Sequence, residues 1–329
     1  MKQLVRNVKI IGTGSYVPET IYTNEYLETI VDTNSQWVYE NVGIRERRVA
    51  AANQATSDLA AEAGRRAVED AGLKPEDIDL IIVATATPDR KAPSTAAFVQ
   101  HKLKARNAAA FDLAAVCSGF LFGVSVASQY IASGVYNNVL VIGADTFSKI
   151  TDWSRRDAIF FGDGAGAAVI SHANVTEGFL AYRLYTDTSE EMLGFTVPAG
   201  GSENPLTESN MNEQYFRMNG KMVFQSAVKV LPKAINQVLA DTGLSVNDID
   251  VMIPHQPSIR ILQKTAEIIG LPFEKVMTNM DKYANTSGGT IPILLDETKK
   301  SGKLKKGDIV LFAAVGSGWT YGAALIKWA

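Results

Sequence analysis

The chain has 329 residues and a mass of 35.5 kDa, room for two ordinary domains or one large α/β unit. Hydrophobic residues make up 46% and charged residues 20%, which excludes disordered and fibrous classes and leaves material for a sizeable core. With 32 basic against 35 acidic side chains the net charge is -3, so no general positive field exists to gather nucleic acid.

Taken in chain order, the first residues lack the apolar stretch of a signal peptide, and no apolar run is long enough for a membrane-spanning helix. A soluble cytoplasmic protein with no membrane or nucleic-acid partner is expected. Residues 57–71 carry apolar side chains at helical spacing, stop at Gly72 and lead through an acidic turn into a buried strand over 80–83. Residues 97–103 form a mixed helical stretch holding His101. Residues 111–116 read as a strand that turns into an apolar helix reaching Ile131, with Cys117 at its first turn. Strands are predicted over 138–143 and 167–170, the second followed by a turn containing His172. The polar stretch 200–212 reads as a long surface loop. Residues 224–239 repeat the helical pattern, stop at Gly243 and lead to a strand over 250–254 that His255 closes.

The second half echoes the first. Residues 70–83 match 241–254 at half of their positions, 138–143 match 308–313, and 166–170 match 322–326, in the same order. Apolar, β-branched strands between helices predict mostly parallel α/β layers, with a boundary near residue 176 between halves 1–176 and 177–329. The run 162–166 lacks the ending of a phosphate loop and reads as tight packing between halves.

Cys117 is the only cysteine, so an internal disulfide is ruled out. A helix N-terminus favours thiolate over thiol and can turn a packing residue into a nucleophile, whereas a free cysteine elsewhere is commonly a small buried hydrophobe. A nucleophile needs a partner, and only His101, His172 and His255 are present. His255 is the best placed, because ligands of open α/β sheets bind at the carboxyl ends of strands. The repeat sets the turn 285–289 opposite Cys117, so Cys117, His255 and Asn285 can converge. The glycine-rich stretch 316–322 lets backbone N–H groups approach a reacting carbonyl oxygen. No ligand cluster predicts a metal.

Together these motifs resemble the thiolase-fold condensing enzymes, most closely the β-ketoacyl-acyl carrier protein synthase III family. The resemblance runs over the whole chain, through residues 9–18, Trp37 with 43–47, 115–120, 161–168, 254–257, 285–287 and 318–322. It implies a duplicated five-layered α-β-α-β-α fold, a homodimer, and no cofactor. It implies that Cys117 takes the acyl group of an acyl-CoA, that the N–H groups of Cys117 and Ser317 hold the oxyanion, and that His255 and Asn285 assist decarboxylation of malonyl-acyl carrier protein. The same resemblance sets Trp37 and either Arg155 or Arg156 at the adenine of CoA, with Gly220 and Phe224 along the pantetheine tunnel. Arg260 then matches a docking position for an acidic carrier protein. Two positions depart from the family pattern: Asn41 replaces an arginine near the CoA phosphates, and Ala92 replaces a Phe that closes the acyl pocket of some acetyl-specific members from across the dimer. An acyl pocket open to longer or larger groups is therefore expected. A thiolase needs a second catalytic cysteine and an elongating synthase a second histidine in place of Asn285. A specialised condensing enzyme of secondary metabolism stays an alternative, with a cysteine hydrolase more remote.

Overall fold

The computed structural model describes residues 7–173 and 177–329. The chain enters as β1 (Asn7–Tyr16) and passes through β2 (Thr20–Thr23), α1 (Asn24–Glu28), α2 (Ser35–Val42) and β3 (Glu46–Val49). Helices and strands then alternate as α3 (Thr56–Asp70), β4 (Leu80–Ala84), α4 (Thr95–Leu103), β5 (Ala109–Leu113), α5 (Gly119–Ala132), β6 (Asn138–Thr146) and β7 (Asp163–Ala173). β8 (Gly178–Thr186) opens a second series, with the two-residue strands β9 (Phe195–Thr196) and β10 (Arg217–Met218). It continues as α6 (Gly220–Thr242), β11 (Val251–Pro254), α7 (Ile259–Ile269), α8 (Met280–Tyr283) and α9 (Thr290–Lys300). β12 (Ile309–Gly316) and β13 (Thr320–Lys327) complete it.

Of the two larger sheets, one has the order β1-β7-β6-β4-β5 and the other β8-β13-β12-β11, where an isolated parallel bridge from Met252 to Val276 occupies the place β5 holds in the first; β2 pairs with β3 and β9 with β10. The repeat seen in the sequence is thus a repeat of strand order. Both sheets are mixed rather than mostly parallel. β4, β5 and β6 run parallel, as do β11 and β12, but β7 and β1, like β13 and β8, run antiparallel. The reason lies in the connections. β12 and β13 are joined by the short turn Ser317–Trp319, and only an antiparallel partner can follow a link that short.

Five layers result. α5 and α9 fill the space between the sheets, where Phe120, Val124 and Leu294 share one core with Ile82 and Val141 of the first sheet and Ile253 and Phe312 of the second. α3 and α4 cover the outer face of the first sheet through Leu59, Ala63 and Val99, and α6 and α7 cover the second through Leu231, Ile235 and Ile261. Gly72 and Gly243 end α3 and α6 regions in the left-handed conformation (φ 69° and 71°), as their matched positions predict.

Glycines set the contact between the two sheet systems. A Cβ on Gly143 would stand 1.9 Å from the Gly288 carbonyl oxygen, and one on Gly166 would stand 2.4 Å from the Ile293 nitrogen. The 162–166 run therefore serves packing, as expected. The predicted boundary near residue 176 falls on residues 174–176, outside the described residues; β7 lies wholly in the first sheet and β8 wholly in the second. Among the described residues no helix is long and apolar enough to cross a membrane.

Candidate active site

Three chain segments meet at a cavity of about 260 Å³ whose lining includes Cys117, His255 and Asn285. Past β5 the chain makes a single 3-10 turn, Val116–Ser118, before α5 begins, and Val116 is held at a φ of 46°. That strained residue turns the half-buried Cys117 toward the cavity. His255 follows β11 directly and is anchored by its N–H, which donates to the Ala313 carbonyl at 2.8 Å. Asn285 is stitched to the other half by its main chain: its N–H donates to Phe160 O at 3.0 Å and its carbonyl accepts from Gly162 N–H at 3.1 Å.

Hydrogen bonding fixes what each side chain offers. The Asn285 Oδ1 accepts the Ser287 N–H at 2.8 Å, so the amide is oriented with Nδ2, a donor, left for the cavity. His255 is 3% exposed, and burial pushes its pKa down to about 3, so the ring is neutral at physiological pH. Its Nδ1 lies 2.8 Å from Thr290 Oγ1. Cys117 Sγ donates to Ser287 Oγ at 3.5 Å, and Ser287 itself sits at a φ of 51°. The expectation that the helix N-terminus lowers the Cys117 pKa is not met. Burial pushes the thiol up to about 12, and the nearby carboxylate of Asp145 adds to the rise. With its pKa raised, the Cys117 side chain rests as a thiol rather than a thiolate.

Asp145 was not legible as a site residue. It is the penultimate residue of β6, is fully buried, and accepts from Ala86 N–H at 2.7 Å and Thr87 N–H at 3.1 Å in the first half and from Gly288 N–H at 3.0 Å in the second. A lone carboxylate at the end of an apolar strand is the signal for it. A Cβ on Gly316 would stand 3.0 Å from the nitrogens of both Cys117 and Ser118, so glycine at 316 lets the chain entering Ser317 lie this near Cys117. Ser317 lines the cavity, and its hydroxyl donates to Phe195 O at 2.6 Å.

Toward the surface the cavity is lined by Trp37 and Asn41 of α2, Gly220 and Phe224 of α6, and Arg260 of α7. Of the two arginines left open by the sequence, Arg156 has its guanidinium 4.6 Å from the Trp37 ring centroid. Arg155 instead forms an ion pair with Asp157 at 3.0 Å, so of the two it is Arg156 that stands over the Trp37 ring. Asn41 donates to the Trp37 carbonyl at 2.8 Å, an intrahelical bond. Ala92 is exposed in the loop before α4 and lines none of this cavity. The inner end is aromatic: Phe161 and Phe195 line it and pack with Phe147 and Phe216. These four rings come from separate segments with no shared spacing, which hid them in the sequence. His101 and His172 are both exposed, on α4 and on β7 respectively, the latter a strand rather than the predicted turn. Of the lysines at 299–306, Lys299 pairs with Asp70, Lys300 with Asp296 and Lys306 with Glu177.

Residues 111–188 match the family described as 3-oxoacyl-[acyl-carrier-protein] synthase III, and residues 239–328 match its C-terminal family. The β-ketoacyl-[acyl-carrier-protein] synthase III of Caldanaerobacter subterraneus is 48% identical over 322 residues, 97% of each chain. The chain belongs to the β-ketoacyl-acyl carrier protein synthase III family. The enzyme of that name from Clostridium acetobutylicum is 45% identical over 98% of this chain and 99% of its own. Among solved structures, the 3-oxoacyl-[acyl-carrier-protein] synthase III of Aquifex aeolicus superimposes with a TM-score of 0.91 at 41% identity, covering 98% of this chain and all of that one. A priming β-ketosynthase of a polyketide pathway superimposes equally well, at a TM-score of 0.91, but at 29% identity. The thiolase-like fold expected from the sequence is the fold of these neighbours.

Proposed function

We propose that Cys117, His255 and Asn285 carry out the family's reaction in two halves. The chain is a condensing acyltransferase of the β-ketoacyl-acyl carrier protein synthase III type, acting in fatty acid synthesis. In the first half Cys117 attacks the thioester of an acyl-CoA, CoA leaves as the thiol, and the acyl group stays on sulfur. The N–H groups of Cys117 and Ser317 hold the oxyanion. In the second half malonyl-acyl carrier protein loses carbon dioxide while His255 and Asn285 donate to its thioester oxygen. The resulting enolate carbon attacks the acyl-Cys117 and releases a 3-oxoacyl carrier protein. The convergence of the three side chains on one cavity in a chain of this family is the observation that supports these roles.

The cavity mouth takes the adenine end of CoA between Trp37 and Arg156, with pantetheine running past Gly220 and Phe224. Replacing Trp37 with Ala is expected to raise the KM for acyl-CoA about tenfold with little change in kcat, since a ring and cation at this spacing contribute about 0.5–2 kcal/mol. Steady-state rates over a range of acyl-CoA concentrations check this. Exposed Arg260 beside the mouth suits an acidic carrier protein. The halves 1–176 and 177–329 are read as two copies of one unit, and the enzyme as a cytoplasmic homodimer. β5, at the outer edge of the first sheet with Phe111 and Leu113 only half-buried, is the element that fits pairing with a second copy.

Ala92 leaves the donor range open. Intact mass of the protein after incubation with acetyl-, butyryl-, octanoyl- and an aromatic acyl-CoA, followed by malonyl-acyl carrier protein, tests both reaction and range. An acyl adduct that disappears as 3-oxoacyl product forms is expected, with donors larger than acetyl accepted. No adduct from any donor would overturn the functional reading; a strong preference for acetyl would overturn the open pocket alone.

A further inference from the structure

Thr290 is 2% exposed, begins α9, and lies between two groups that both engage its hydroxyl. Its Oγ1 donates to the Ser287 carbonyl at 3.0 Å and lies 2.8 Å from His255 Nδ1. A hydroxyl has one hydrogen, and a carbonyl can only accept. With that hydrogen on Ser287 O, the contact to His255 is a hydrogen bond only if Nδ1 carries the ring proton and donates to Oγ1. A neutral imidazole has one such proton, so Nε2 is then a bare lone pair on a ring that lines the cavity.

We propose that Thr290 is the positioning residue that selects the His255 tautomer, holding the proton on Nδ1 so that Nε2 serves as the proton acceptor for Cys117 during acyl transfer. This rests on the functional reading above and deepens it. As the Cys117 sulfur bonds to the acyl carbon, its proton passes to Nε2. When the bond from that carbon to the CoA sulfur breaks, Nε2 returns the proton to the departing sulfur, so His255 ends the half-reaction as it began. The second half needs the opposite property, a donor on Nε2. The geometry also provides for that. If the Thr290 hydroxyl turns to donate to Nδ1, the ring proton belongs on Nε2, exchanged through water in the cavity between substrates. Ser287 O does not lose its last partner in that turn, because it also accepts the Thr290 N–H. The rotation thus forgoes one hydrogen bond without stranding a buried acceptor.

The chain has only three histidines, and two are exposed, so the ring nitrogens are readable by long-range proton–nitrogen NMR on the whole 15N-histidine-labelled protein. The His255 signals are assigned by their loss in His255→Gln. The resting enzyme is expected to show His255 protonated at Nδ1, with the same pattern in Thr290→Ser and conversion toward the Nε2-protonated form in Thr290→Val. Acylation of Cys117 by acyl-CoA is expected to slow about tenfold or more in Thr290→Val and to recover in Thr290→Ser. An Nε2-protonated His255 in the resting wild-type protein overturns the proposal even if no variant folds. So does a Thr290→Val protein whose tautomer and acylation rate are unchanged. A wild-type protein that takes no acyl group would instead overturn the functional reading, which the tautomer spectrum does not depend on.

Discussion

Replacing Cys117 with Ala is expected to abolish both the acyl adduct and the condensed product, a loss of roughly 10⁴-fold or more, because the remaining groups have no atom on which to hold the acyl chain. Folding should survive. The sulfur makes one long hydrogen bond, to Ser287 Oγ at 3.5 Å, and a half-buried cysteine leaves only a small void when shortened to alanine. Thermal unfolding of the variant is therefore expected within a few degrees of the parent. Intact mass after incubation with acyl-CoA reads the first effect and calorimetry the second; an adduct persisting in Cys117→Ala would move the nucleophile elsewhere.

The second large effect is on decarboxylation. Asn285→Asp preserves the acceptor that takes the Ser287 N–H but removes the Nδ2 donor and places an oxygen where the malonyl carbonyl oxygen gathers charge. His255→Ala removes the other donor. Each is expected to slow release of carbon dioxide from malonyl-acyl carrier protein by about 10²–10³-fold, the scale of losing one oxyanion donor. Measuring that release without an acyl donor isolates this half of the reaction, and either variant retaining full activity would remove its residue from the role.

The architecture was legible because a repeated strand order gives two readings of the same helix-turn-strand pattern. Gly72 and Gly243 stop corresponding helices, and the acidic turns that follow lead into β4 and β11, so each half checks the other. The meeting of Cys117 and His255 at one cavity was legible for a related reason: with one cysteine and three histidines, the inventory narrows to this pair almost by position in the strand order. Direction of strands was not, since the short Ser317–Trp319 link that reverses the chain reads in sequence as another glycine-rich loop. Groups that act through others were also hidden. Asp145, Ser287 and Thr290 matter through bonds between halves or between adjacent turns, and nothing in their local spacing announces a partner 143 residues away. The choice between Arg155 and Arg156 stays open in sequence for a finer reason, because the two neighbours differ only in which one Asp157 claims.

The close approach of Gly143 to the Gly288 carbonyl ties the two sheet systems to each other. In the proposed reaction the first half supplies the sulfur and the second the imidazole and amide, so neither half alone holds the complete set. A chain cut within the 174–176 connection but co-expressed as two fragments is thereby a natural complementation system, in which activity reports directly on whether the halves have re-formed their shared glycine contact.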